Sequence, residues 1–188
     1  MTNKAKEEKR FIANTKESLR SENIDTVLSK LHELKSTGKV SILPYILDLL
    51  DHSSSEKIKQ EVILFLSNLK DQKCVPVIVS YIRKHAGNKS VARVISTCWQ
   101  SRLDYSNDLN TFAHSFISGD YSIALESFTV IEEMLWRATD PVITECKKVL
   151  LSNKSKINSE KKPLYEELIG VLNEGRTESR DEYSHLYD

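Results

Sequence analysis

Three cysteines and five histidines are the residues of this chain best suited to metal or nucleophilic chemistry, and their spacing supports neither. Zinc sites draw Cys and His from closely spaced pairs. Cys74, Cys98 and Cys146 are far apart, odd in number and set among apolar residues. They are expected as reduced core thiols, packed as small hydrophobes. His32, His52, His85, His114 and His185 include no i, i+4 pair, and no Ser or Cys nucleophile is implied beside any of them. Glycine-rich phosphate loops are absent from the sequence. The expectation is a chain with no catalytic residue, no metal and no cofactor.

Charge offers a second kind of chemistry. The 27 basic and 27 acidic side chains cancel, so no long-range field draws the chain to nucleic acid or an anionic membrane. Lys147, Lys148, Lys154, Lys156, Lys161 and Lys162 form the one basic concentration, spread over a predicted helix end and a polar loop. Lysines there complement a helix dipole and keep a loop solvated. The alternative is a patch for an acidic partner or a phosphate backbone. Residues 176–188 form a net acidic tail, expected to be disordered, in which Tyr183, Leu186 and Tyr187 could serve as a short linear motif or simply as a solvated end. The amino terminus is too charged for a signal peptide, and no apolar run approaches the ~18 residues of a membrane span. A soluble, cytoplasmic monomer is expected.

The elements that must position these side chains are announced by a phrase that occurs twice. SILPYILDLL at 41–50 and KCVPVIVSYI at 73–82 superpose Pro44 on Pro76, 32 residues apart, with their apolar sites in register. Periods of about 20–50 residues mark repeat architectures. Ile24, Val27, Leu28, Leu31 and Leu34 precede the opening copy with one helical stripe. Ile58, Val62, Phe65, Leu66 and Leu69 follow it, after a Ser53–Glu56 spacing that suits a capping box. Val91, Ile95, Cys98 and Trp99 repeat that stripe 33 residues later, and Ala124, Phe128 and Ile131 continue it. Aligned with Leu66, Trp99 is expected in the core. A helix is predicted over about 107–118, another from Asp140-Pro141, and a last one from Pro163. Gly38, Gly87, Gly119 and Gly175 fall at predicted helix ends, and no alternating run suggests a strand.

This pattern predicts an all-α fold. Residues 1–20 form a polar N-terminal helix or arm, docked by Phe11, Ile12 and Leu19, and residues 21–175 form the repeat domain. Two helices per ~33 residues, opened by Ile42-Leu43-Pro44-Tyr45-Ile46 and Cys74-Val75-Pro76-Val77-Ile78, resemble a HEAT repeat over roughly residues 24–152. The second helices depart from that family, which carries Val-Arg at their start: Ile58-Lys59 approximates it, whereas Val91 and Ala124 are followed by Ala92 and Leu125.

The resemblance implies a right-handed α-solenoid of antiparallel helix pairs whose second helices line a concave face. Opposite the core stripe, that face would carry Gln60, Leu64 and Ser67, then Arg93, Thr97 and Gln100, then Glu126, Val130 and Glu133. It implies a non-enzymatic module that presents this face to a protein or peptide; the competing reading is an ordinary solvated surface. Trp136 and Arg137 are secondary contact candidates, because Trp and Arg are enriched in interface hot spots. The resemblance also covers an alternative, a nucleic-acid-binding protein or an enzyme like the bacterial alkylpurine DNA glycosylases. Glu126 and Glu133 would repel phosphates and argue against it.

Overall fold

Each copy of the repeated phrase enters its helix in the same way. In the computed structural model, which describes residues 3–37, 39–88 and 90–174, a 3-10 turn at Val40–Ile42 precedes a helix at Leu43–His52. A second at Gln72–Cys74 precedes Val75–Lys84, and a third at Ser106–Asp108 precedes Leu109–Ser118. Pro44 lies in the first turn of its helix, where its missing N–H would have had no partner. Every regular element among the described residues is helical: α1 (Asn3–Leu19), α2 (Ile24–Thr37), α3 (Leu43–His52), α4 (Glu56–Ser67), α5 (Val75–Lys84), α6 (Val91–Gln100), α7 (Leu109–Ser118), α8 (Tyr121–Met134), α9 (Asp140–Ser152) and α10 (Lys162–Glu174).

The helices gather into two compact units, with the boundary between Val77 and Ile78, inside α5. In the first unit α4 packs on α2 and α3, and α1 lies against α2 and α3. Val27, Leu31, Leu34, Ile46, Leu47, Val62 and Leu66 make its core. The polar segment at the amino terminus is therefore a docked helix: Leu19 is buried, and Phe11 and Ile12 are half-buried. The ammonium groups of Lys16 and Lys39 stand 5.4 and 5.2 Å from the ring centres of Tyr45 and Phe11. The start of α4 differs from expectation. Ser55, rather than Ser53, is its N-cap, accepting from the Ile58 amide at 3.4 Å, while the Ser53 hydroxyl accepts from the Ser55 amide one turn earlier.

In the second unit α8 is central. It packs against α6, α7 and α10, while α9 lies against α7 and α10. Phe112, Phe116 and Tyr105 are its largest fully buried side chains, with Tyr105 set edge-on to Phe112 at 5.8 Å. Arg83 closes the end of α5, donating to the Thr111 hydroxyl at 2.9 Å and to Asp108 at 3.2 Å. Of the glycines placed at helix ends by sequence, Gly87 takes φ +83° after α5, a conformation that favours glycine. Gly119 is extended, and its lack of a side chain matters for a different reason: a Cβ there would meet the Ile123 side chain and the Ser115 carbonyl. Gly38, Gly175 and the 176–188 tail lie outside the described residues.

Candidate functional site

On α8 the division between inside and outside is sharp. Ile123, Ala124, Ser127, Phe128, Val130, Ile131 and Met134 are buried. Tyr121, Leu125, Glu132 and Glu133 are exposed, with Glu126 and Thr129 half-buried between the two sets. At 100° per residue the outward residues span one continuous arc, running from Tyr121 and Glu132 through Leu125 and Thr129 to Glu133 and Glu126. The edge bearing Glu126 faces α6, and there the Trp99 indole N–H donates to the Glu126 carboxylate at 2.9 Å. The edge bearing Glu132 faces α10. Partial burial, Glu133 and Glu167 together push the Glu132 carboxyl above its ordinary range.

Trp99 therefore departs from the expected core position. It is 38% exposed, although Cys98 beside it is fully buried. The ring sits at the rim of the buried arc of α6. Sequence reasoning also left Leu125, Glu132 and Glu167 unmarked. The available signal was an apolar pair, Tyr121 and Leu125, one turn apart and off the core stripe, on a helix with three glutamates and no Lys or Arg.

The predicted concave positions divide three ways. Gln60 and Leu64 are exposed on α4 in the first unit, Leu64 at 48%, with Ser67 half-buried and its hydroxyl donating to the Ile63 carbonyl. In the second unit Gln100 and Glu133 are exposed, and Arg93 and Glu126 half-buried. Thr97 and Val130 are corrections: both are fully buried and offer no side-chain surface to a partner. The buried arc of α6 runs on from Val94 to Thr97, whose hydroxyl is satisfied by the Val94 carbonyl at 2.7 Å. Val130 is enclosed because α8 is packed against three other helices. Trp136, just beyond α8, is 60% exposed, with the Arg137 guanidinium 4.3 Å from its ring centre.

The basic segment loses a member. Lys161 is only 3% exposed, and its ammonium donates to the carbonyls of Phe116, Ile117 and Gly119 at 2.9, 2.8 and 2.8 Å. It caps the C-terminus of α7 from across the unit, supplying donors that the last turn of a helix lacks. Burial pulls this ammonium below the usual lysine range, opposed by Asp120 and Glu160. Lys148, Lys154, Lys156 and Lys162 are exposed and Lys147 half-buried, with Lys148 3.6 Å from Glu145.

The candidates for bond-making chemistry are dispersed. All three cysteines are unpaired and buried, and burial raises the Cys98 and Cys146 thiols to about 12. A thiol held so high supplies almost no thiolate near neutral pH. His85 stacks on Tyr81 at 4.0 Å, His52 lies beside Asp48, and His185 falls outside the described residues. Among the described residues no cluster of three His, Cys, Asp or Glu is placed to hold a metal, and no helix is long and apolar enough to cross a membrane. Two concavities along α2, lined in part by Asn23, Asp25, Ser29, His32 and Glu33, are open and polar-walled. Compared with protein-family models, curated proteins and solved structures, the chain matches none.

Proposed function

We propose that this chain is a non-enzymatic protein-interaction module, built as a HEAT-like right-handed α-solenoid and acting as a monomer in the cytoplasm. Support for the repeat reading comes from the 3-10 turn and following helix recurring at residues 40, 72 and 106. Within each unit, too, helices pack on partners one or two elements away in sequence. Three buried cysteines, each packed as a small hydrophobe, suit a reducing compartment.

The observation that carries the function is Trp99. A large aromatic ring is held at the surface in one orientation by a bond to Glu126, where burying it against its own core would have been the simpler use. Aromatic side chains preorganised in this way are what interfaces use as anchors, because little rotamer freedom is lost on binding. The Arg93, Gln100, Glu126 and Glu133 side chains, exposed or half-buried on α6 and α8, supply directional contacts.

Affinity capture from a native extract tests the reading. An identified partner should be recovered by the wild-type chain and lost when Arg93→Ala and Glu126→Ala are combined, with far-UV circular dichroism unchanged. Undiminished recovery would sink the assignment. A nucleic-acid-binding role makes the opposite forecast, salt-dependent binding to duplex DNA at micromolar or tighter affinity. The three glutamates of α8, unaccompanied by a basic residue, oppose it.

A further inference from the structure

The outward arc of α8 is flanked by α6 on one side and α10 on the other, and its two edges are chemically alike. Glu126 and Glu133 stand on the α6 side, and Glu132 on the α10 side with Glu167 near it. Leu125, 41% exposed, lies between the edges, and the Trp99 ring rises at the α6 rim. Among the described residues Glu132, Glu133 and Glu167 are not paired with any Lys or Arg, and α8 itself carries none. The face thus sets Leu125, with Ser122 and Thr129 beside it, between glutamate borders, and adds the apolar Trp99 ring at the α6 rim.

We propose that this face of α8 docks a basic amphipathic segment of a partner protein, with apolar side chains seated on Leu125 and Trp99 and Lys or Arg side chains reaching Glu126, Glu132, Glu133 and Glu167. Charge complementarity selects this occupant. An acidic or neutral segment would leave the mutual repulsion at Glu132 in place, whereas a cation between Glu132, Glu133 and Glu167 relieves it. The Trp99 face is also an attractive seat for a guanidinium or ammonium group, and the neighbouring Glu126 carboxylate reinforces it. The proposal rests on the protein-interaction reading and specifies where the partner sits and of what kind it is.

The test uses the full chain and two synthetic 18-residue helical peptides. Both place Leu at i, i+3, i+4 and i+7 steps; one fills the remaining positions with Lys, the other with Glu. The Lys peptide should bind with a Kd in the micromolar range or tighter at about 0.1 M salt, and the Glu peptide at least about tenfold more weakly. Trp99→Ala and Glu133→Lys should each weaken the Lys peptide about tenfold, while Glu22→Lys, an equal charge change at an exposed site of the first unit, leaves it unaltered. Should Trp99→Ala disturb the fold, Glu133→Lys, at an exposed position, carries the test. Equal binding of both peptides, or equal weakening by Glu22→Lys, overturns the site. So does a concentration-dependent dimer dissolved by Leu125→Glu, which would assign the face to a second copy of the chain. A native partner that still binds Glu133→Lys at full strength overturns the α8 site and leaves the interaction module standing.

Discussion

Replacing Lys161 with methionine isolates the contribution of its ammonium, since the side chain stays long and flexible and most of the volume is kept. The ammonium makes three bonds of 2.8–2.9 Å to carbonyls at the end of α7. Hydrogen bonds to a charged group contribute about 1.5–3 kcal/mol each, so three total about 4.5–9 kcal/mol before desolvation. Removing one ammonium from water offsets several kcal/mol of that. After substitution, water can reach part of the 118–120 turn, because Ser118 and Asp120 are exposed. A net loss of about 3 kcal/mol follows, which at this chain length lowers the melting temperature by about 6–12 °C. Urea denaturation followed by circular dichroism measures the loss. Hydrogen exchange across 116–121 locates it, because the Gly119 amide, which donates to the Ser115 carbonyl at 2.9 Å, should exchange faster as the last turn of α7 frays. A melting temperature within about 1 °C of wild type, with unchanged exchange in that segment, would refute the cap as a stabilising element.

Other perturbations address separate parts of the molecule. Gly119→Ala should destabilise by about 1–3 kcal/mol in denaturant titration, because its methyl group meets the Ile123 side chain and the Ser115 carbonyl. Glu132 is held above the ordinary 4.5 by burial, Glu133 and Glu167, so its folded-state value exceeds the unfolded one. The stability linked to it is present below that ordinary value and is lost as pH rises through the folded-state value. Glu132→Gln should accordingly raise the melting temperature at pH 7 and flatten its dependence on pH above 4.5; a lower melting temperature would count against the repulsion. Cys98 and Cys146, raised to about 12, should resist thiol labelling in the native protein at pH 8 and react fully in urea, as mass spectrometry would show.

Much of the helical framework was legible because core stripes recur every three or four residues: Val27, Leu31 and Leu34 on α2, and Ile58, Val62 and Leu66 on α4, are all buried. Periodicity assigns each helix one inner stripe, and that is where it fell short. α8, packed on three other helices, buries a wider arc and takes Val130 inside, and the buried arc of α6 extends to Thr97. Trp99 came out because it stands at the edge of the buried arc of α6, a difference of phase that the alignment with Leu66 does not resolve. The Ser55 cap was displaced from Ser53 by a choice among adjacent serines that spacing alone cannot make. Lys161 was legible only as one of a group of lysines; its capping role was not, since its partners are main-chain carbonyls, and carbonyls have no sequence signature.

The reach of Lys161 bears on how the chain is made. Its acceptors lie 42–45 residues earlier. At about 5–20 residues per second, a ribosome needs roughly 2–9 seconds to add that length. The α7–α8 turn therefore exists as nascent polypeptide for seconds before the group that closes it has been synthesised. Until then the Phe116, Ile117 and Gly119 carbonyls lack their Lys161 donor, and this end of α7 is completed from its C-terminal side.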